Sequence, residues 1–223
     1  MLRMLSADAI VALHDQRTRA WHQAPDTADE DACPHANSNA GENADEDAAA
    51  EWLRSLTLHH RANFDLWHIE DEARTPGATD KELAAVKRRI DQTNQRRNDL
   101  AEELDCILLR GLEARGLPAP AAPLNSESPG LIIDRLSILA LKIYHTREEA
   151  GRTDAPDGHA ARNQERLRIL EEQRADLANC LDALWRETLA GTRRFKLYRQ
   201  LKMYNDPSLN PAVYRKLGAG QGR

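Results

Sequence analysis

One segment of the chain restricts the fold more than any other, because it is apolar on nearly every side of a helix and yet carries charges. It is SPGLIIDRLSILALKIYH, residues 128–145. From Ile132 onward, apolar residues recur with the period of an α-helix, and further apolar residues fill the opposite face. The segment is too short and too interrupted by charge to span a membrane. We therefore expect it to form the buried central helix of an all-α bundle.

The polar residues of this helix define the functional question, because each buried charge needs a partner or a shared cavity. They are Asp134, Arg135, Ser137, Lys142 and His145. By helical period, Asp134 and His145 lie on one side, whereas Arg135 and Lys142 share a neighbouring stripe. For His145 taken singly, an ordinary histidine at the edge of the core is the competing interpretation.

Proline, glycine and capping residues divide the rest of the chain into further helices. The segments predicted to be helical are residues 6–22, 48–74, 79–115, 130–147 and 159–190. Residues 23–47 are acidic and contain no lysine or arginine, which predicts a disordered linker. We expect a peripheral N-terminal helix, a single-domain antiparallel bundle of five or six helices over residues 48–210, and a flexible tail over residues 211–223.

Composition excludes several classes of protein. A net charge of -5 over 223 residues gives no general attraction to nucleic acid. The start of the chain lacks the features of a signal peptide, so we expect a cytoplasmic protein. The three cysteines form no CxxC pair and support neither a disulfide framework nor a structural zinc site. Cys33 with His35 would be a weak metal-binding pair, and a linker residue is the preferred interpretation.

The segment HHRANFDLWHIEDEAR, residues 59–74, has the densest chemistry in the chain. Asn63, Trp67, Glu70 and Arg74 fall on one helical stripe, with Asp71 close to it. Glu70 and Arg74 have the spacing of an ordinary surface ion pair, worth about 0.2–0.5 kcal/mol. The presence of Trp67 on the same stripe favours a face that is buried or lines a cleft.

A second polar stripe borders the apolar face of the predicted helix at 79–115. Its members carry side-chain oxygens and are Asp91, Asn94, Asn98, Glu102 and Asp105. A solvated helix flank is one interpretation. The others are a site for a hard cation such as Mg²⁺, which prefers oxygen ligands, and a surface that hydrogen-bonds a polar ligand.

A cationic cluster follows the last predicted helix. Its members are Arg193, Arg194, Lys196, Arg199 and Lys202, and two tyrosines are interleaved with them. Such residues either offset a helix dipole or carboxylates, or bind the oxygens of a phosphate group. The sequence leaves both interpretations open.

Polar residues that lie beside the apolar faces of three helices should meet at the helix interfaces, and we expect them to converge on one cavity. The catalytic candidates are Glu70, Asp71 and His145. The predicted substrate-binding residues are Asn63, Trp67, Arg74, Asn98, Asp134, Arg135, Lys142 and Lys202. The candidate metal ligands, with Mg²⁺ as the expected ion, are Glu70, Asp71, Asp91 and Asp105.

Four segments, NFDLWHIEDEAR, IDQTNQRRNDLAEELD, IDRLSILALKIYH and KLYRQLKMYNDP, resemble in this order the bacterial family called domain of unknown function 4254. The resemblance spans about residues 50–210, and the central helix is also similar to a second, smaller uncharacterised bacterial family. It implies that the candidate residues above, with His68, Asn94, Asn205 and Asp206, match the family pattern. It also implies a link to glycosyltransferases and cell-surface polysaccharide, but no activity.

Two hypotheses about function follow. The first is a protein that binds or hydrolyses a phosphorylated small molecule, such as a nucleotide or nucleotide sugar, with a divalent cation. The second is a non-catalytic partner of a glycosyltransferase system, in which ion pairs only fix the helix register. No phosphate loop, nucleophile elbow or HExxH motif is present, which disfavours the common enzyme classes. The oligomeric state stays open, a homo-oligomer included.

Overall fold

Five α-helices form the part of the chain that the computed structural model describes, which is residues 6–24, 44–199, 201 and 208–211. They are α1 (Ala7–Gln23), α2 (Ala44–Glu72), α3 (Asp80–Glu113), α4 (Pro129–Ala150) and α5 (His159–Leu189). Within these residues the only β-type pairing is an isolated bridge between Leu124 and Arg194. The predicted all-α class is confirmed, and no helix among the described residues could cross a membrane.

Helix α4 is the central helix, as predicted from its apolar sequence. It packs against each of the other four helices. Ile133, Leu136 and Ile143 on α4 are fully buried, and the main core cluster also contains Leu104 of α3 and Leu181 of α5. Helices α2 and α3 pair as one hairpin and α4 and α5 as another. The site is thus built around a helix whose position is fixed on several sides.

Capping residues set the starts of the helices. Thr79 and Glu82 form a reciprocal capping box at the start of α3, and Ser128 caps α4 ahead of Pro129. The next residue of α4, Gly130, lies directly against α3. A Cβ atom at Gly130 would lie 2.3 Å from the carbonyl oxygen of Ala101, so only glycine allows this approach.

The start of α2 differs from the prediction. Helix α2 begins at Ala44 rather than at residue 48, inside the stretch expected to be disordered. Acidic residues such as Glu46 and Asp47 favour a helix N-terminus, and this stabilises the additional turn. The remainder of that stretch, residues 25–43, and the expected tail beyond residue 211 lie outside the described residues.

Helix α1 is not peripheral, contrary to expectation. Its residues Ala7, Ile10, His14 and Trp21 are at most 1% exposed, and the helix contacts α2, α4 and α5. Burial of a complete helix face of this kind removes enough apolar surface from water to hold the helix in place. Helix α1 therefore belongs to the same core as the other helices.

Candidate functional site

A cleft of about 360 Å³ opens between α2, α3 and α4. Its lining residues on α2 repeat at helical spacing, which is the stripe identified in the sequence. The lining is Asn63, Leu66, Trp67, Glu70, Asp71 and Arg74 from α2, Arg97 from α3, and Ile138 and Leu141 from α4. Five of the predicted site residues therefore share one cleft with an arginine that the sequence analysis did not single out.

Arg97 is held in the cleft by Asp134 of α4. The Nε atom of Arg97 lies 3.4 Å from Asp134 Oδ1, and the same oxygen accepts hydrogen bonds from His59 Nε2 and Asn63 Nδ2, each at 3.0 Å. Burial alone would raise the pKa of Asp134, but the hydrogen bond and charge of His59 and the charge of Arg97 outweigh burial and lower it. Asp134 is therefore ionised at neutral pH and fixes an arginine at the cleft wall.

The acids of the cleft are close to solvent. Glu70 pairs with Arg74 at 2.9 Å, with side-chain exposures of 40% and 68%. This is the surface ion pair that the sequence analysis gave as one interpretation, and exposed pairs of this kind contribute little to stability. Asp71 is exposed at the same end of the cleft. Both carboxylates therefore lie within reach of a soluble ligand or cation.

Arg135 and Lys142 do not reach this cleft, which corrects the expected convergence of all site residues. They line a separate groove of about 480 Å³ between α4 and α5. Arg135 also pairs with Glu127 at 2.9 Å. The reason is helical period, because Arg135 lies about 100° from Asp134 around α4 and faces the opposite neighbour.

The acidic stripe of α3 does not join the cleft either. Asp91 is paired with Lys87 on the surface, and Asn98 is buried without lining the cleft. Asp105 is buried beneath the start of α4, where its Oδ1 accepts a hydrogen bond of 2.7 Å from the backbone N–H of Gly130. Asp91 and Asp105 are about 21 Å apart along the helix at 1.5 Å per residue, so they do not meet Glu70 and Asp71 at one point.

Burial changes the acidity of Asp105. It raises the pKa to about 6, against the opposing effect of hydrogen bonds from Ser128 and Gly130. This carboxyl therefore belongs to the junction between α3 and α4. Its predicted role as a metal ligand has no support from its surroundings.

The cationic cluster after α5 is mostly paired with protein oxygens. Arg193 Nε lies 3.0 Å from Glu187 Oε2, Arg194 Nε donates to the carbonyl of Ala122 at 2.7 Å, and Arg199 lies near Glu102. These contacts favour the structural interpretation for the three arginines. Lys202, predicted to close the cavity, lies outside the described residues, as do Asn205 and Asp206.

Histidines from three helices meet behind the cleft. One nitrogen atom each of His22 on α1, His68 on α2 and His145 on α4 lie within 4.8 Å of one another, and this trio is the one potential metal-binding group found among the described residues. His145 was a catalytic candidate, but it does not line the cleft and its ring stacks on Trp67 instead. His22 is not among the residues predicted from the sequence, and His68 is among them only through the family resemblance.

A second histidine layer lies deeper in the same interface. His60 Nε2 donates to the carbonyl of His14 at 3.0 Å, and His60 Nδ1 therefore accepts from the hydroxyl of Ser137 at 2.7 Å. The rings of His14 and His60 stack at 4.4 Å. Burial, and then the neighbouring His59, lowers the pKa of His60 to about 3, and burial likewise lowers the pKa of His14. Both rings are therefore neutral at physiological pH.

Comparison with known proteins identifies the family of the chain. The model of a family described as protein of unknown function (DUF4254) matches residues 53–197, which is more than half of the chain. No curated protein and no solved structure matches the chain. The chain therefore belongs to the DUF4254 family.

Proposed function

We propose that this member of the DUF4254 family binds a small phosphorylated molecule in the cleft between α2, α3 and α4. The observation that carries the proposal is Arg97, which lines the cleft while Asp134 holds its Nε side. A guanidinium offers five N–H donors in a planar fork, and the pair with Asp134 involves only one edge of it. The terminal nitrogens can then bind two phosphate oxygens at once.

The rest of the cleft wall favours a ligand that also has an apolar or planar part. Trp67, Leu66, Ile138 and Leu141 supply this wall. A volume of about 360 Å³ lies near the lower end of the range of about 300–1,000 Å³ that is typical of ligand pockets. The size favours a sugar phosphate or a mononucleotide over a larger dinucleotide.

The carboxylates of the cleft favour a cation alongside such a ligand. Glu70 and Asp71 line the cleft beside Arg74, and Asp134 is already paired with Arg97. Mg²⁺ is commonly held by one or two carboxylates together with phosphate oxygens and water, and Glu70 and Asp71 fit this role. The cation would reduce the repulsion between these carboxylates and the phosphate.

Hydrolysis of the bound molecule is the catalytic form of this proposal. The oxygen of the attacking water would bond to phosphorus as the bond between phosphorus and the leaving oxygen breaks. Asp71 or Glu70 would accept the proton that the water gives up, and the leaving oxygen would take a proton from solvent. Release of inorganic phosphate from the ligand tests this step separately from binding. Sugar phosphates and nucleotide sugars are included among the test compounds because the predicted setting is cell-surface polysaccharide metabolism.

Calorimetric titration of the full chain tests the binding proposal. The probes are inorganic phosphate, nucleoside monophosphates, sugar phosphates and nucleotide sugars, each with Mg²⁺ and with a chelator. We expect at least one organic phosphate to bind, with weaker binding in the chelator. Arg97→Gln should weaken that binding at least about tenfold, whereas Arg96→Gln, the same charge change at the adjacent exposed position, should not.

Two results would overturn the binding proposal. One is the absence of heat with every probe in the presence of Mg²⁺. The other is equal weakening by Arg97→Gln and Arg96→Gln, which would show that only net charge matters. The Asp134 network would then serve to fix the register of α2, α3 and α4, as in the hypothesis of a non-catalytic partner.

A further inference from the structure

The histidine trio of His22, His68 and His145 has the geometry of a metal centre. The three residues come from three different helices, α1, α2 and α4, and one nitrogen of each lies within 4.8 Å of the others. We infer that they form a binding site for a divalent transition-metal ion, with Zn²⁺ as the ion that fits best. This site shares no residue with the proposed phosphate cleft and does not depend on it.

Hydrogen bonds already orient two of the three rings for metal binding. His22 Nδ1 donates to the backbone carbonyl of Thr18 at 2.7 Å, and His145 Nδ1 lies 3.0 Å from Glu148 Oε2. A carbonyl and a carboxylate only accept, so each Nδ1 carries a proton, and the neutral form of each ring presents its lone pair at Nε2. Metal-bound histidines are typically oriented in this way by an oxygen acceptor on the other ring nitrogen.

The two Nε2 atoms are the strongest sign of a ligand. Both are buried, and among the described residues neither has a hydrogen-bond partner. A buried nitrogen with a lone pair and no donor loses a hydrogen bond relative to water, which costs about 1–3 kcal/mol. Two such atoms in one cluster of imidazoles are accounted for by a cation that all three rings share.

Aromatic neighbours hold the imidazoles of the trio in place. His22 stacks on Tyr144 at 4.2 Å, and His68 meets the edge of Phe64 at 4.5 Å. Imidazoles whose orientation is already fixed favour metal binding.

The ligand type selects the ion. Imidazole nitrogen suits Zn²⁺, Cu²⁺ or Ni²⁺, whereas Mg²⁺ and Ca²⁺ take oxygen ligands. Tetrahedral Zn²⁺ with Zn–N bonds of about 2.0–2.1 Å places its nitrogen ligands roughly 3.3 Å apart, so binding would draw the nitrogens together by at most about 1.5 Å. Three protein ligands leave a fourth position for water or another small ligand, as in catalytic zinc sites.

Metal titration of an untagged chain tests the inference. Every protein in this titration carries Cys33→Ser and His35→Ala. These changes remove a pair outside the described residues that could compete for the metal ion. After treatment with a chelator, the protein is titrated with Zn²⁺ and, separately, with Co²⁺, whose visible spectrum reports its coordination. We expect one ion per chain and the spectrum of a nitrogen-coordinated, low-symmetry Co²⁺ site.

Substitutions assign the site. His22→Ala, His68→Ala and His145→Ala should each weaken Zn²⁺ binding by more than tenfold, whereas His159→Ala, on α5 and bonded to Glu149, should leave it unchanged. Glu148→Gln provides a variant that leaves the core intact, because Glu148 is exposed, and it should weaken Zn²⁺ binding by about 10–100-fold. Circular dichroism checks that each variant is folded.

Three results would overturn the inference. The first is that the chain with the unsubstituted trio binds no Zn²⁺. The second is a Co²⁺ spectrum typical of six oxygen ligands. The third is a Zn²⁺ affinity that Glu148→Gln, once shown to be folded, leaves unaltered. A site at the trio requires nitrogen coordination and a response to Glu148.

Discussion

The rings of Trp67 and His145 stack in parallel, with centroids 4.8 Å apart and planes inclined by 10°. Trp67 lines the cleft, whereas His145 belongs to the histidine trio behind it. The two rings therefore form the wall between the proposed phosphate site and the proposed metal site. Binding at one of the two proposed sites would therefore act on the other through this pair of rings.

Tryptophan emission should respond to metal for this reason. Addition of Zn²⁺ would fix His145 against Trp67 and change the electrostatic surroundings of the indole. We expect the emission spectrum to shift on addition of Zn²⁺, and Trp67→Phe to remove most of that shift. Trp185→Phe, which changes a buried tryptophan on α5, is the control. A shift that survives Trp67→Phe in full would contradict the prediction.

Substitution of Gly130 should destabilise the fold strongly. In Gly130→Ala the new Cβ atom meets the carbonyl oxygen of Ala101, which belongs to the backbone of α3 and cannot rotate away. Overpacking of this kind costs about 1–3 kcal/mol. Gly151→Ala is the matched control, since its Cβ atom would meet only ordinary contacts at 3.6 Å. Urea denaturation measures both, and equal unfolding free energies would refute the predicted clash.

Asp105 should make the protein less stable as pH rises. Its pKa of about 6 in the folded state lies above the ordinary 3.8, so the folded chain binds more protons between these values. The contribution of Asp105 to the free energy of unfolding is therefore fully present below about pH 4 and is lost as pH rises through 6. Between pH 4 and pH 7, the free energy of unfolding of Asp105→Asn should therefore rise by about 2–3 kcal/mol relative to that of the wild-type chain. Asp99→Asn, on the exposed side of α3, should show no such gain in the same denaturation series.

His60 should have the opposite effect. Its folded pKa of about 3 lies below the ordinary 6.5, so the unfolded chain binds more protons between these values. The contribution of His60 to the free energy of unfolding is complete above pH 6.5 and falls by about 2 kcal/mol on acidification to pH 5. His60→Gln should therefore reduce the loss of stability between pH 7 and pH 5, and His159→Gln should not. Thermal melts from pH 7 to pH 5 measure the difference, and parallel profiles for the two variants would count against it.

The architecture and one side of the cleft were accessible from the sequence, because both depend on the period of a single helix. Caps and stop signals locate α3, α4 and α5 closely, and the stripe through Asn63, Trp67 and Glu70 does line one cleft. Which neighbour each polar stripe faces depends instead on how helices pack. That is why Arg135 was assigned to the cleft, whereas it lies in the groove toward α5.

The two histidine layers do have a signal in the sequence. On α1, His14, Thr18 and His22 are spaced by four residues, and the same spacing relates His60, Phe64 and His68 on α2 and Ser137, Leu141 and His145 on α4. Residues four apart share a helix face, so three such stripes predict matching layers where the helices meet. The sequence could not show that α1 packs into the core, because the long acidic stretch separates it from the bundle.

His22 differs from its two partners in one further way, since it lies on α1, outside residues 53–197, where the family model matches. An ion at the trio would join that N-terminal helix to the part of the chain that the family model matches. Such an ion binds only when α1 is docked, so it favours the docked state by RT ln(1 + [Zn²⁺]/Kd), about 2.7 kcal/mol at a hundredfold excess over Kd. The docking of α1 would thus vary with the free zinc concentration of the compartment, and hydrogen exchange of the α1 amides would record it.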